Sequence, residues 1–479
     1  MSNVSKTSID NRFQTIIEDQ NVTPVTESHE DISVLAYGAC RANTKFTANA
    51  ALTTLPILSA TPLANGQIIY VNDMGIPVTV SGNEYIGLDG RKMQFCKVDA
   101  LYGWGCNICG SSGVNCTGIV PFNTREATNS TNWTQAIAGH LHTVGLKSDG
   151  SLWTWGINNV GQLGTNNFTC YSSPVREVTS SSNWCQITAG SWHTAAIKTD
   201  GSLWAWGSNI AGQLGDGTTV CKNSPVREGT VSSNWCQVSA GQCSTAAIKT
   251  DGSLWSWGLN TCGKLGDNTT ISRSAPVREA TSSSNWYQVS VGSLHTLAIK
   301  KDGSLWGWGR NDCGQLGDNS VISRSTPVRE VSFDNSWCQV SAGFTHSAAI
   351  KTNGSLWTWG DACFGFLVGA TSCKSSPTRE INNLNTWKMV SAGFLATNAI
   401  TCDGNLYAQS YDSDTATTNS WLSGNAGGVC GLVYGSTSGW CRLYVTRYYN
   451  GWKTISHSQH EPNAINVVGI NSFTCIPGR

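Results

Sequence analysis

The pattern Gly-Ser-Leu-Trp-x-Trp-Gly occurs five times, with its leucine at Leu152, Leu203, Leu254, Leu305 and Leu356, each 51 residues from the last. A fixed period of this size marks a supersecondary unit that cannot bury its own apolar face, so neighbouring copies must complete one another's core. Degenerate copies extend the array, Leu101-Tyr102-Gly103-Trp104-Gly105 before it and Leu406-Tyr407 after it. A second marker, tryptophan leading into a short alternating segment, falls at Trp133, Trp184, Trp235, Trp286, Trp337, Trp387 and Trp452. Both markers therefore occur seven times, but they are out of phase at the ends. The first Leu-Tyr-x-Trp-Gly lacks a tryptophan segment before it, and Trp452 lacks a Leu-Trp-x-Trp-Gly after it. The two half-units complement each other, which predicts a ring closed by pairing residues 452–470 with the copy that begins at Leu101.

Within one copy the pattern is all-β. Trp184-Cys185-Gln186-Ile187-Thr188-Ala189 and His193-Thr194-Ala195-Ala196-Ile197-Lys198 are short β-forming runs with no helical period. Asp200-Gly201 tolerates the positive φ of a tight hairpin turn, Leu203-Trp204-Ala205-Trp206-Gly207 makes a third strand, and Gly212-Gln213-Leu214-Gly215 bounds a loop. Ser224-Pro225-Val226-Arg227-Glu228 makes a fourth, outer strand whose proline suits an edge. Four strands per unit, seven units and complementary ends are what a ring of blades requires.

These residues carry a resemblance. Leu-Trp-x-Trp-Gly, an Asn followed by Gly-Gln-Leu-Gly, then Pro-Val-Arg-Glu and Ala-Gly-x-x-His-Thr together resemble the repeat of the regulator-of-chromosome-condensation family over residues 93–470. The resemblance implies an all-β, seven-bladed β-propeller. The copy at Leu406 departs from the pattern, with Gln409 and Ser410 in place of Trp and Gly. The expected organisation is an anchoring segment over residues 1–45, a small β module over 46–92 and the propeller over 93–479.

Composition narrows the partners. Charged residues are 13%, with Lys+Arg 30 against Asp+Glu 30, about half the usual charged share. A nucleic-acid surface concentrates positive charge to neutralise phosphates, so no nucleic-acid partner is expected. Met1-Ser2-Asn3-Val4-Ser5-Lys6 opens a polar N-terminus without a signal-peptide pattern, and no run approaches the roughly 20 apolar residues of a membrane helix, so no membrane insertion is expected. The 19 cysteines read as free thiols. Cys185, Cys236 and Cys338 share a repeat position with Thr134, Tyr287 and Lys388, which is no disulfide framework. Cys106-Asn107-Ile108-Cys109, with Cys116 nearby, has zinc or redox spacing but lacks a second pair at a suitable distance. Neither a metal nor a cofactor is expected.

Repetition also tests each apparent catalytic residue. His142, His193, His295 and His346 are periodic, yet Ser244 and Ala396 hold the same place elsewhere; a buried, hydrogen-bonded structural histidine is the expectation. Pairs such as Arg176-Glu177 and Arg227-Glu228 read as edge-strand charges that block edge-to-edge pairing. Pairs such as Trp153 with Trp155 and Trp204 with Trp206 fall on one strand face, so inter-blade packing is expected, and Trp255 stands for them as a large buried aromatic. A catalytic pair should occur once, in a pocket of its own. No such singular pair is visible, and a non-enzymatic protein is expected.

The chain departs from the repeat in two places. Before residue 93, Phe13, Ile16 and Ile17 fall on one face of a short amphipathic helix suited to anchoring on a partner. The lead-in Ile-Tyr-Val, Gly-Ile-Pro-Val, Gly-Leu-Asp-Gly-Arg also resembles segments that precede such propellers in phage-encoded virion proteins. Between Tyr407 and Trp452, the aromatics Trp421, Tyr434, Trp440, Tyr444 and Tyr448 sit among Gly and Ser, the composition of many recognition loops. The expectation drawn is a virion structural or adhesion protein, of capsid-decoration or tail-fibre type. It would be made in the host cytoplasm and sit at the virion surface, attached to other virion proteins through residues 1–92 and contacting a host receptor or glycan, with homo-oligomers through the leader. The alternative is an intracellular interaction scaffold or a guanine-nucleotide exchange regulator of a small GTPase, which the family resemblance implies.

Overall fold

The computed structural model describes residues 95–130, 132–361, 373–380, 384–393, 396–402 and 406–410, together with strands at 68–71, 76–81, 84–87, 92–93, 431–434, 441–444, 452–457 and 466–475. Seven antiparallel sheets make the ring among these residues. Five complete blades span residues 133–176, 184–227, 235–278, 286–329 and 337–379, each a four-stranded meander in chain order. They are numbered here first to fifth. The sixth blade, Trp387–Ala392, Ala396–Thr401 and Leu406–Ser410, shows three strands.

The seventh sheet joins the two ends of the chain. Trp452–His457 pairs with Asn466–Cys475, which pairs in turn with Phe95–Asn107, Asn466 opposite Gly105 and Cys475 opposite Phe95; Gly118–Arg125 is the outer strand. The Trp452 strand lies against the sixth blade on one side and the first on the other. The complementary half-units of the sequence thus close the ring, with the pairing running five residues beyond 470. A separate four-stranded antiparallel meander, Ile68–Val71, Ile76–Ser81, Glu84–Gly87 and Lys92–Met93, precedes it.

Side chains bridging neighbouring blades explain why the repeat closes. In each blade the tryptophan-led strand is innermost and leaves one edge unpaired. Gln135, Gln186, Gln237, Gln288 and Gln339 each accept a backbone N–H from the next inner strand at 2.9–3.2 Å. Thr188, Ser239, Ser290 and Ser341 accept a second N–H two residues on. Edge donors that would otherwise be left unmade are satisfied by the neighbouring blade.

Apolar packing also runs between blades. Trp257 of the third blade lies in one cluster with Leu203, Ala205 and Leu214 of the second. It meets Trp235 edge-on at 5.9 Å between ring centroids and donates from Nε1 to Gln213 O. The expectation of inter-blade packing holds for both members of each pair: the second is fully buried, and the first packs against the same cluster, as Trp255 does beside Leu203 and Trp257. The depth of Trp255 is corrected: it is only half-buried, donates to Ser253 Oγ and flanks the Lys249 ammonium, which lies 4.7 Å from both Trp255 and Trp235.

The Arg-Glu reading is corrected as well. Glu228 is fully buried and does no edge-blocking. Its carboxylate accepts from the backbone N–H of Thr230 and Ser232, the Thr230 hydroxyl and Trp235 Nε1 at 2.6–3.2 Å. It thereby fixes the crossing from one blade's outer strand to the next blade's inner strand. Glu126, Glu177, Glu279 and Glu330 repeat the arrangement. The preceding arginine bonds the same crossing, Arg227 Nη2 donating to Val231 O and Ser233 Oγ. Replacing Glu228 with Ala leaves two backbone donors and one indole donor unpaired, and is expected to cost about 3 kcal/mol, read as a drop in the urea midpoint; an unchanged midpoint would refute the capping role.

Candidate functional site

The two faces of the ring differ chemically. One carries the Asp-Gly hairpin turns and the crossings between blades. Near the axis on this face lies a cavity of about 580 Å³, lined by Gln186, Cys236, Gln237, Tyr287, Lys301, Cys338 and Lys388 among others, with no carboxylate among the described residues of its wall. Cys185, Cys236 and Cys338 point their thiols at the carbonyls of Ile197, Ile248 and Ile350. Burial pushes these thiols up from their ordinary value, so they resist ionising.

The opposite face carries the Gly-Gln-Leu-Gly loops. In the second, third and fourth blades a buried asparagine organises each one. Asn209 Oδ1 accepts from Leu214 N at 2.9 Å, while Nδ2 donates to Asp216 Oδ1, Thr218 O and Val220 O at 3.0–3.2 Å. Asn260 and Asn311 do the same for loops ending at Ile271 and Ile322. Arg273–Asp267 and Arg324–Asp318 ion pairs tie two of these loops to their outer strands. The pinned loops lift Val220, Ile271 and Ile322 into solvent at 62%, 62% and 60% exposure. Scattered single exposed aliphatics are ordinary, but a residue repeated at one position on three successive blades forms an apolar arc. Ile210, Phe168 and Val321 add to it.

Beneath this face runs the histidine girdle. His142, His193, His295 and His346 are fully buried, and each Nε2 meets a hydroxyl of the next blade, Thr194, Thr245, Ser347 or Thr397, at 2.9–3.1 Å. The hydroxyls of Thr194 and Thr245 already donate to Gln162 O and Gln213 O, so His142 and His193 donate from Nε2 and hold Nδ1 unprotonated. Gly139 and Gly190 make room for the rings: a Cβ on Gly190 would lie 2.4 Å from His193 Cε1. Burial pushes His142, His193 and His295 down to about 3. The expectation of structural histidines is met.

The third blade breaks the girdle: Ser244 stands where the first, second, fourth and fifth blades have His, as the repeat showed, and Lys264, which the sequence reading missed, stands where other loops have Gln162, Gln213 or Gln315. Lys264 is fully buried, donates to Ser293 O at 3.0 Å and depresses both His193 and His295. Burial brings its ammonium down to about 8. The signal was Gly-Lys-Leu-Gly against Gly-Gln-Leu-Gly.

The aromatic recognition residues are only partly placed. Tyr434 and Tyr444 stand at opposite ends of a two-stranded hairpin, Tyr434 opposite Cys441 and Tyr444 opposite Gly431. Trp421, Trp440 and Tyr448, like the anchoring residues Phe13, Ile16 and Ile17, lie outside the described residues. Cys109 of the Cys-x-x-Cys segment meets Cys170 of the first blade. Among the described residues no helix is long and apolar enough to cross a membrane.

Comparison with known proteins is decisive for the family. Residues 100–420, about two thirds of the chain, match the RCC1-like domain model. The chain belongs to the RCC1-like domain family. The ultraviolet-B receptor UVR8 of Arabidopsis thaliana is 32% identical over 231 residues, covering 47% of this chain and 52% of UVR8. The mitochondrial RCC1 domain-containing protein RUG3 of the same plant is 32% identical over 237 residues, covering 47% and 53%. The chain thus spans about half the length of these curated relatives. Among solved structures, yeast RCC1 (Prp20) bound to Kap60 superposes with a TM-score of 0.63 at 18% identity, covering 78% of this chain and 89% of that one. Prp20p of Saccharomyces cerevisiae, studied for its binding to Gsp1p and histones, gives 0.63 at 19% identity, covering 82% and 94%. These two likenesses establish the RCC1-like propeller fold independently of the sequence match.

Proposed function

We propose that the chain is a non-catalytic RCC1-like propeller that binds a protein partner through its Gly-Gln-Leu-Gly loop face. The observation that carries this reading is the apolar arc of Val220, Ile271 and Ile322, held in place before any partner arrives. Loops already ordered by buried asparagines lose little freedom on binding, which leaves more of the contact energy as affinity. The relatives favour the interaction-scaffold expectation over virion display: the yeast RCC1 structures are of a protein with protein partners, Kap60, Gsp1p and histones. A balanced charge of 30 against 30 also fits a protein partner better than a nucleic acid. Nucleotide exchange on a small GTPase is a finer version of the same reading.

The test is quantitative binding of the purified chain to Gsp1p, histones and Kap60, with the oligomeric state measured in parallel. Binding to at least one of them, weakened tenfold or more in the Val220→Asp/Ile271→Asp/Ile322→Asp variant at unchanged thermal midpoint, is expected. Equal binding by variant and parent, or binding to none, overturns the proposal. Accelerated nucleotide release from Gsp1p would select the exchange version.

A further inference from the structure

The repeat supplies its own controls, because three positions recur in sequence at each joint from the first blade to the fifth. The first comes from the Gly-Gln-Leu-Gly loop, the second follows the third strand of the next blade, and the third precedes that blade's outer strand. At the joint between the fourth and fifth blades these are Cys313, Asp361 and Cys373, whose ligand atoms all lie within 4.8 Å of one another. No other joint among the described residues combines two thiols with a carboxylate. The middle position is Ile157, Ser208, Leu259 or Arg310 elsewhere. The joint with Ile157 also has two thiols, Cys109 and Cys170, in hydrogen-bonding contact, but no third ligand.

We propose that Cys313, Asp361 and Cys373 form a zinc site that bridges the fourth and fifth blades. Two thiolates and a carboxylate suit Zn²⁺, a borderline-soft ion that takes sulfur at about 2.3 Å and oxygen at about 2.0–2.2 Å in a tetrahedron. Two sulfurs of such a tetrahedron stand about 3.8 Å apart, inside the 4.8 Å within which these atoms already gather. Asp361 is buried and oriented by the Thr345 hydroxyl, which donates to its Oδ2 at 3.3 Å, a supporting contact of the kind that fixes a metal-binding carboxylate. Cys373 is exposed, leaving the fourth corner to water. Arg310, the neighbouring cation, is engaged by Asp312. Without an ion, three groups that favour negative charge converge, and Cys313 is pushed up to about 12 by burial, its bond with Cys373 and the Asp361 charge. Binding replaces two thiol protons with the metal, so uptake releases two protons per ion. Sequence spacing conceals the site, because its ligands lie 48 and 12 residues apart on two blades.

The experiment is a Co²⁺ titration of the reduced, metal-free full chain, followed by competition with Zn²⁺. One equivalent showing a thiolate-to-cobalt charge-transfer band, displaced by Zn²⁺, is expected. Cys313→Ser/Cys373→Ser should lose that equivalent, Asp361→Asn should weaken it tenfold or more, and Cys109→Ser/Cys170→Ser should keep it. Circular dichroism identical to the parent shows that each variant is folded. The proposal is overturned if the Cys313/Cys373 variant retains the band, if Asp361→Asn binds as the parent does, or if mass spectrometry of the Zn²⁺-treated protein finds Cys313 and Cys373 joined as a disulfide. It stands independently of the partner-binding arc.

Discussion

Replacing Trp257 with Ala is expected to cost about 3–5 kcal/mol, the range for a fully buried aromatic whose cavity cannot collapse. The ring fills the joint between the second and third blades against Leu203, Ala205 and Leu214, and its Nε1 donates to Gln213 O. Its removal therefore opens a void and takes from the Gln213 carbonyl one of its two donors, the Thr245 hydroxyl remaining. Trp255→Ala, two residues away on the same strand, should cost about 1–2 kcal/mol: the ring is half-buried, and what it loses is some apolar area and its contact with the Lys249 ammonium. Guanidinium denaturation of the two variants reads the contrast. Equal losses would mean that the inter-blade joint is not where the tryptophan energy resides.

Acid should unfold the protein through its histidines well before its carboxylates. His142, His193 and His295 stay neutral in the folded ring down to about pH 3, while in the unfolded chain they take up protons near 6.5. A folded value below the unfolded one means stability that is present above pH 6.5 and is lost as pH falls towards 3. Each imidazole removes about 1.4 kcal/mol per pH unit in that window, or roughly 2–3 kcal/mol by pH 4.5. Three acting together remove roughly 8 kcal/mol by that point, comparable with the whole stability of an ordinary domain. Unfolding free energies at pH 7, 5.5 and 4.5 should fall steeply, and His193→Gln should lower the slope by about one proton. A flat profile between pH 7 and 5 would show that the girdle is accessible to protons.

The blades were legible because periodicity is a statement about packing: residues that recur every 51 positions must occupy equivalent places, and the unequal ends foretold which strands would meet. Repetition also showed that the histidines were structural, since Ser244 and Ala396 fill the same place. What stayed hidden was any role set by geometry between blades. Glu228 looked like half of an exposed ion pair because sequence shows charge and not the backbone donors two and four residues further on, although Thr230 and Ser232 stood at those positions. Trp255 and Trp257 looked alike because alternation gives the face of a side chain and not its depth. Lys264 was a one-letter departure in a loop motif, and its burial emerged only when the adjoining blade was in place.

The closing blade sets a timetable for making the protein. Phe95 finds its strand partner in Cys475, so a ribosome adding roughly 5–20 residues per second must work for about 20–80 s after the first of the pair emerges before the second exists. Through that interval the early strand waits with an open edge while the five repeat blades assemble locally behind it. Seam formation, with its long loop closure, becomes the slow event. Pausing, premature release or a frameshift late in the message would yield chains with well-formed blades and an unsealed rim, a species prone to pair with its neighbours.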